Sequence, residues 1–144
     1  MMEFYRDAPR YREGRWWLSK LVRDSDVYVS PHRAEGFGMN ILNAMAVGTP
    51  VVVTGETGNM DFCSSNNALL VSVKGERWTK LMPPYDRAKW FEPDVKSLRE
   101  QMRKAYEKHS TYKRRAVREA EKIRKNWSWS VVVDKIEERI KELF

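Results

Sequence analysis

Residues 50–54, PVVVT, narrow most sharply what this chain can fold into. An unbroken β-branched run has no polar face to offer water, so it belongs to a strand covered on both sides, as in parallel sheets. The preceding stretch, MNILNAMAV, is equally apolar but helical in character. Gly48 stands where a helix C-terminal glycine belongs, and Pro50 forbids continuation. A shorter β-branched and aromatic run at 27–30 is closed by Pro31, and NALLVSV at 67–73 supplies a third strand. Strand, helix, strand, loop, strand is the order of a parallel sheet with crossover connections. The expectation is an α/β fold: a partial Rossmann-like domain with a short, about three-stranded parallel sheet, flanking helices and a helical C-terminal region.

Around this unit the chain divides into four stretches. Residues 1–14 carry no period and read as an N-terminal arm. The rest, 15–144, is one domain: an α/β unit over 15–73, a loop over 74–93 and helices over 94–144. In the first unit Trp17, Leu18, Leu21 and Val22 fall at helical spacing. In the last, Asp94 caps a helix carrying Leu98, Met102, Ala105 and Tyr106. A second helix carries Ala116, Val117, Ala120 and Ile123, and a third, from about Ser130, carries Val132, Val133, Ile136, Ile140 and Leu143.

Several function classes drop out. The most apolar stretch, 39–53, is broken by two Asn, Gly48 and Pro50, so no segment spans a bilayer. The charged start has no apolar signal core, and the lone Cys63 cannot close an intramolecular disulfide, so a cytoplasmic location is expected. No cluster of His and Cys surrounds Cys63, so no metal is expected and the thiol reads as buried and structural. The net charge of +7 favours anionic partners, and Arg103 to Lys125 holds ten Lys/Arg against three Glu. Such a run is usually a solvated helix face, and no groove-reading motif points to nucleic acid.

The chemistry concentrates at residues 30–61. Gly36 and Gly38 form a turn without β-carbons, feeding a helix N-terminus whose N–H groups and dipole attract phosphate. At the carboxyl edge of a parallel sheet, this is where ligands bind. Glu35 would repel phosphate and is expected to face hydroxyl groups. Asn40 and Asn43, on one face of an apolar helix, read as buried amides in need of partners. A phosphate near the glycines, with polyol hydroxyls at Glu35 and Asn43, describes a nucleotide sugar. An ordinary glycine turn with a solvent-facing Glu fits the spacing equally well. His32 is at the mouth of the site, as a phosphate contact, an acid or base, or a plain loop residue. Asp61 either helps hold a ligand or caps a turn, and Asn59 and Met60 offer backbone amides.

Read in order, DSDVYVSP, EGFGMNILNAMAVGTPVVVT, GNMDF, NALLV, WFEPDVKSLREQM and WSWSVVVDKIEERIKEL resemble the C-terminal, nucleotide-sugar-binding half of a family 4 (group 1) retaining glycosyltransferase of the GT-B fold. The resemblance implies transfer of a hexose from a nucleoside-diphosphate sugar to an unknown acceptor, without cofactor or metal. It implies that Glu35, matching the first acidic residue of an E-x7-E motif, contacts the donor sugar as the catalytic-site carboxylate. The turn Gly36, Phe37, Gly38 and Met39 would meet the diphosphate or sugar, and Asn43 stands where the second acidic residue holds ribose. His32 and Asp61 join the expected substrate-binding set.

The sequence departs from that family at Asn43, and also in lacking, before Arg15, the strands that carry an Arg and a Lys against the diphosphate. The expectation is a truncated domain whose strand 27–30 has an exposed edge, covered by the arm or by a second copy or partner chain. The alternative function is a catalytically inactive relic that serves as a basic binding module through residues 103–125.

Overall fold

The computed structural model describes residues 11–78 and 88–144. Helix α1 (Tyr11–Asp24) leads into strand β1 (Tyr28–Ser30), helix α2 (Met39–Ala46), strand β2 (Val51–Thr54), a 3-10 turn (Gly58–Asp61) and strand β3 (Leu69–Val71). Strands β4 (Val73–Trp78) and β5 (Lys89–Pro93) follow, then helices α3 (Val95–Glu107), α4 (His109–Asn126) and α5 (Trp129–Leu143). The main sheet is parallel in the order β1-β2-β3, with Val29 beside Val52 and Val53 beside Leu70. This is the α/β, three-stranded parallel arrangement the sequence implies.

β2 explains why the sheet is covered twice. All four of its residues are buried. Val51 and Val53 face one layer, packed with Ile41, Leu42, Ala44 and Met45 of α2, with Phe62 and Cys63, and with Ile123 of α4. Val52 faces the other layer, with Leu69, Val71 and Ala105 of α3. The alternation follows from the two-residue side-chain period of a strand.

Small residues bring α4 against the end of α2. Ala116 and Ala120 are buried, and a β-carbon on Gly48 would lie 3.2 Å from the Val117 side chain. Gly48 also has φ +78, so glycine serves here both as a left-handed cap and as a close-packing residue. Long cations of α4 reach back to carbonyls of the α/β unit: Arg115 to Ser65 and Ala68, Lys113 to Arg23, and Arg124 to Ala46. Arg118 and Lys122 bond Glu119. Three cations of the basic run, Lys113, Arg115 and Arg124, therefore tie α4 to the α/β unit.

Three expectations change. The stretch 74–93 is not simply a loop: β4 and β5 pair antiparallel, with Trp78 beside Lys89 and a register shift between Val73 and Glu76. Helix α1 starts at Tyr11, inside the stretch read as an irregular arm. Asn40 and Asn43 are exposed rather than buried, because α2 buries only Ile41, Leu42, Ala44 and Met45. Among the described residues, β1 pairs on one side only, with β2. The expected cover by residues 1–10 of the arm falls outside the described residues.

Candidate functional site

Two loops meet at the carboxyl ends of β1 and β2, residues 31–38 and 55–61. Their backbones are in close contact. Gly58 N–H donates to the Glu35 carbonyl at 3.2 Å, and a β-carbon on Gly58 would lie only 1.8 Å from the Gly36 carbonyl oxygen. Thr54 Oγ1 donates to the His32 carbonyl at 2.6 Å, tying the end of β2 to the first loop.

His32 closes the same junction through its ring. The Asn59 amide nitrogen donates to the Thr54 carbonyl at 3.0 Å, which turns Asn59 Oδ1 toward His32 Nε2, also 3.0 Å away. The Nε2–H therefore donates to Asn59, with Thr57 Oγ1 3.2 Å from the same nitrogen. With the hydrogen on Nε2, Nδ1 is an acceptor and is reached by the Ser30 hydroxyl at 3.3 Å. Both ring nitrogens are thus engaged by protein, and His32 acts as a clasp between loops. Thr57 sits at φ +77, a costly conformation for a residue with a β-carbon, held by this network and by its bond to Asn59 Oδ1.

The Glu-Gly-Phe-Gly turn is fixed from within. Glu35 Oε1 accepts from Gly38 N–H at 3.1 Å. Gly38 is buried at φ +91, where a β-carbon would lie 3.2–3.3 Å from Asn59, Ile41 and Phe62. Phe37 turns its ring inward against Phe62 and Trp127, with centroids 5.3 and 5.4 Å away. Leu42 N–H to the Gly38 carbonyl is the first intrahelical bond of α2, so the N–H groups of Met39, Asn40 and Ile41 precede it. The Met39 side chain is exposed.

The sequence-derived residues thus fall into two sets. Glu35, Gly36, Phe37, Gly38, Met39 and His32 share one junction, with Asp61 exposed on the 3-10 turn beside it. Asn43 stands one turn further along α2. It lines a groove with Leu18, Ser19, Tyr28 and Asn40, and another with Phe37, Met39, Arg124 and Trp127. The negative charge of Glu35 helps push the Tyr28 phenol above its ordinary pKa, after the larger effect of burial. No group of three or more His, Cys, Asp or Glu among the described residues is placed to hold a metal.

Three features went unread in the sequence. Thr57 and the Asn59 side chain, the other half of the clasp, stand in an ordinary-looking Thr-Gly-Asn loop. Their only signal was Gly58 between two hydrogen-bonding side chains. The third is a bidentate pair, Arg33 with Glu92, at 2.9 Å for both bonds. It ties the hairpin to the first loop together with Phe91 N–H to the Arg33 carbonyl. The Arg33 guanidinium holds the Glu92 carboxyl below its usual range.

A family model described as "Family 4 Glycosyltransferase in conflict systems" matches residues 7–136 of the chain. No curated protein and no solved structure matches it.

Proposed function

The chain belongs to the family 4 glycosyltransferases of conflict systems, and from that membership we propose that the junction at residues 30–61 binds a nucleoside-diphosphate sugar for retaining hexosyl transfer. The observation that carries the reading is the state of Glu35. One carboxylate oxygen is committed to Gly38 N–H, and the side chain is otherwise exposed at the mouth of the turn. A carboxylate held in that way presents an acceptor to sugar hydroxyls without having to be ordered on binding. The first-turn amides of α2, beginning at Met39, lie beside it for the diphosphate, supported by the helix dipole. Asn43 is the ribose contact, and its exposure leaves its amide available.

In the reaction, the bond from the anomeric carbon to the diphosphate oxygen breaks and a bond to an acceptor hydroxyl oxygen forms on the same face. The acceptor proton is lost and the nucleoside diphosphate departs. The leaving group gathers negative charge, which oriented amides stabilise more in the transition state than in the ground state. His32 supports this by holding the loops, since its nitrogens are spent on the Ser30 hydroxyl, Thr57 and Asn59.

Calorimetric titration with UDP, GDP and ADP and with their glucose and mannose conjugates tests the proposal. Glu35→Gln keeps an acceptor for Gly38 N–H but removes the charge. It is expected to leave binding of the bare diphosphate intact and to weaken the sugar conjugate. Asn43→Ala is expected to weaken both. No binding of any of these ligands to folded protein at millimolar concentration would overturn the donor-site reading.

A further inference from the structure

Arg33 is the only arginine or lysine in the two loops of the junction, 31–38 and 55–61, where it stands among Glu35, Glu56 and Asp61. A nucleoside diphosphate brought to these loops therefore meets three carboxylates and one guanidinium. The leaving group gains further negative charge as the anomeric bond breaks, and backbone amides bring dipoles but no net charge to balance it. Where Arg33 is held thus bears directly on the reaction.

The hairpin holds it. β3 runs parallel to β1 and β2, so the chain leaves β3 at the carboxyl edge of the sheet and β4 starts from the edge where the two loops lie. β5 meets the first loop through Phe91 N–H, which donates to the Arg33 carbonyl at 2.9 Å. Glu92, the next residue, receives the Arg33 side chain, Nε on one carboxylate oxygen and Nη2 on the other, each at 2.9 Å. This fork is the one that a phosphate takes from arginine.

Two features let the guanidinium change partners. About half of the Arg33 side chain faces solvent, and a pair so exposed parts at little cost. Glu92 would not be left alone either. Arg33 does most to lower its carboxyl, but Arg77 and Lys74 of β4 lower it too, so two cations remain beside it. The distance is short. Arg33 and Glu35 are two residues apart, so their α-carbons lie within about 7 Å. The Glu35 carboxylate in turn touches Gly38 N–H, at the entrance to α2. A ligand that contacts both Glu35 and the first-turn amides is a neighbour of the Arg33 backbone, and the long arginine stem brings the fork to its phosphates.

We propose that Arg33 is the phosphate-binding cation of this site, leaving Glu92 for the nucleoside diphosphate while Arg77 and Lys74 keep Glu92 compensated. The inference rests on the donor-site reading and adds to it a charged contact that strengthens as the diphosphate departs.

Calorimetric titration of the full chain with UDP, GDP and ADP, and with the matching monophosphates, tests this. Arg33→Gln is expected to weaken the diphosphate that wild type binds by roughly tenfold to a hundredfold, as for loss of a charge-assisted bond, and its monophosphate by much less. Glu92→Gln is expected to act in the opposite direction. It should tighten the diphosphate by about twofold to fivefold, because the ligand no longer competes with a carboxylate. The double variant should bind like Arg33→Gln alone. A pair that merely fastened the hairpin would give two changes of the same sign, and both variants keep the backbone bond from Phe91 to Arg33. Three results would each overturn the proposal: Arg33→Gln at wild-type affinity, Glu92→Gln no tighter than wild type, or equal losses for monophosphate and diphosphate. In all three the wild type still binds nucleotide and the donor-site reading stands. A folded wild type that binds none of these nucleotides removes both.

Discussion

Glu35 Oε1 accepts the backbone N–H of Gly38 at 3.1 Å, so the acidic residue of the glycine turn is also a structural member of it. The bond uses the amide that glycine presents at φ +91 and directs the carboxylate along the turn rather than away from it. Glu35→Ala removes that acceptor. It is expected to cost about 1 kcal/mol of stability, as for loss of a helix cap, whereas Glu35→Gln stays within about 0.5 kcal/mol. Urea unfolding of the three proteins separates the two roles. Equal losses for Ala and Gln would show that the charge, not the hydrogen bond, supports the turn.

The contact of Gly58 with Gly36 gives a sharper prediction. A β-carbon at position 58 would come within 1.8 Å of a backbone carbonyl oxygen, and no side-chain movement can relieve that. Gly58→Ala must push the two loops apart. A loss of roughly 1–3 kcal/mol is expected, comparable to overpacking in a core, together with weaker binding of any ligand held between the loops. Gly36→Ala is the control, because a β-carbon there meets nothing within 4 Å. Indistinguishable melting temperatures for the two variants would refute the close approach.

His32 is the third support of the junction. Removing the ring in His32→Ala strips Asn59 Oδ1, on a fully buried residue, of its Nε2 partner and leaves Thr57 as its remaining donor. The expected cost is about 1–3 kcal/mol, the penalty for partly unsatisfied buried polar groups. Amide exchange should accelerate first at Gly58 and Gly38, on opposite sides of the clasp. Unchanged exchange at both amides would show that the loops hold without the imidazole.

How much of this was legible before the structure depended on how local the cause was. β2 and α2 could be read directly, because an unbroken β-branched run and a glycine stop followed by proline are local signals. The exposure of Asn40 and Asn43 was readable in principle. With Ile41, Leu42, Ala44 and Met45 facing inward, the helical period places both asparagines on the outer face. The hairpin was not readable. β4 is charged, interrupted by Gly75 at φ +140, and broken in register between Val73 and Glu76. What holds it is distant in sequence: Lys89 on Glu76, and Arg33 on Glu92. The clasp of His32, Thr57 and Asn59 is equally non-local. The sequence grouped residues 30–61 together but could not tell which of their side chains hold the two loops to one another.

Cys63 supplies the last prediction, and it concerns pH. The thiol is buried beside Met45, with its sulfur 3.7 Å from the Met45 sulfur. Burial pushes its pKa up from 9.0 to about 11, and a hydrogen bond with Asn59 offsets only part of that effect. The unfolded chain therefore releases this proton at lower pH than the folded one. Stability from the neutral thiol is fully present below pH 9 and is lost as pH rises through about 11. The loss from this group alone is expected to be about 2 kcal/mol. Urea midpoints at pH 8 and pH 10.5 for wild type and Cys63→Ala isolate it, because lysine and tyrosine titration is common to both proteins. The difference between the two proteins should narrow as pH rises, since only the wild type pays for keeping a thiol neutral. A constant difference would mean that the thiol is open to solvent, and rapid modification of folded protein by a thiol reagent at pH 8 would show the same.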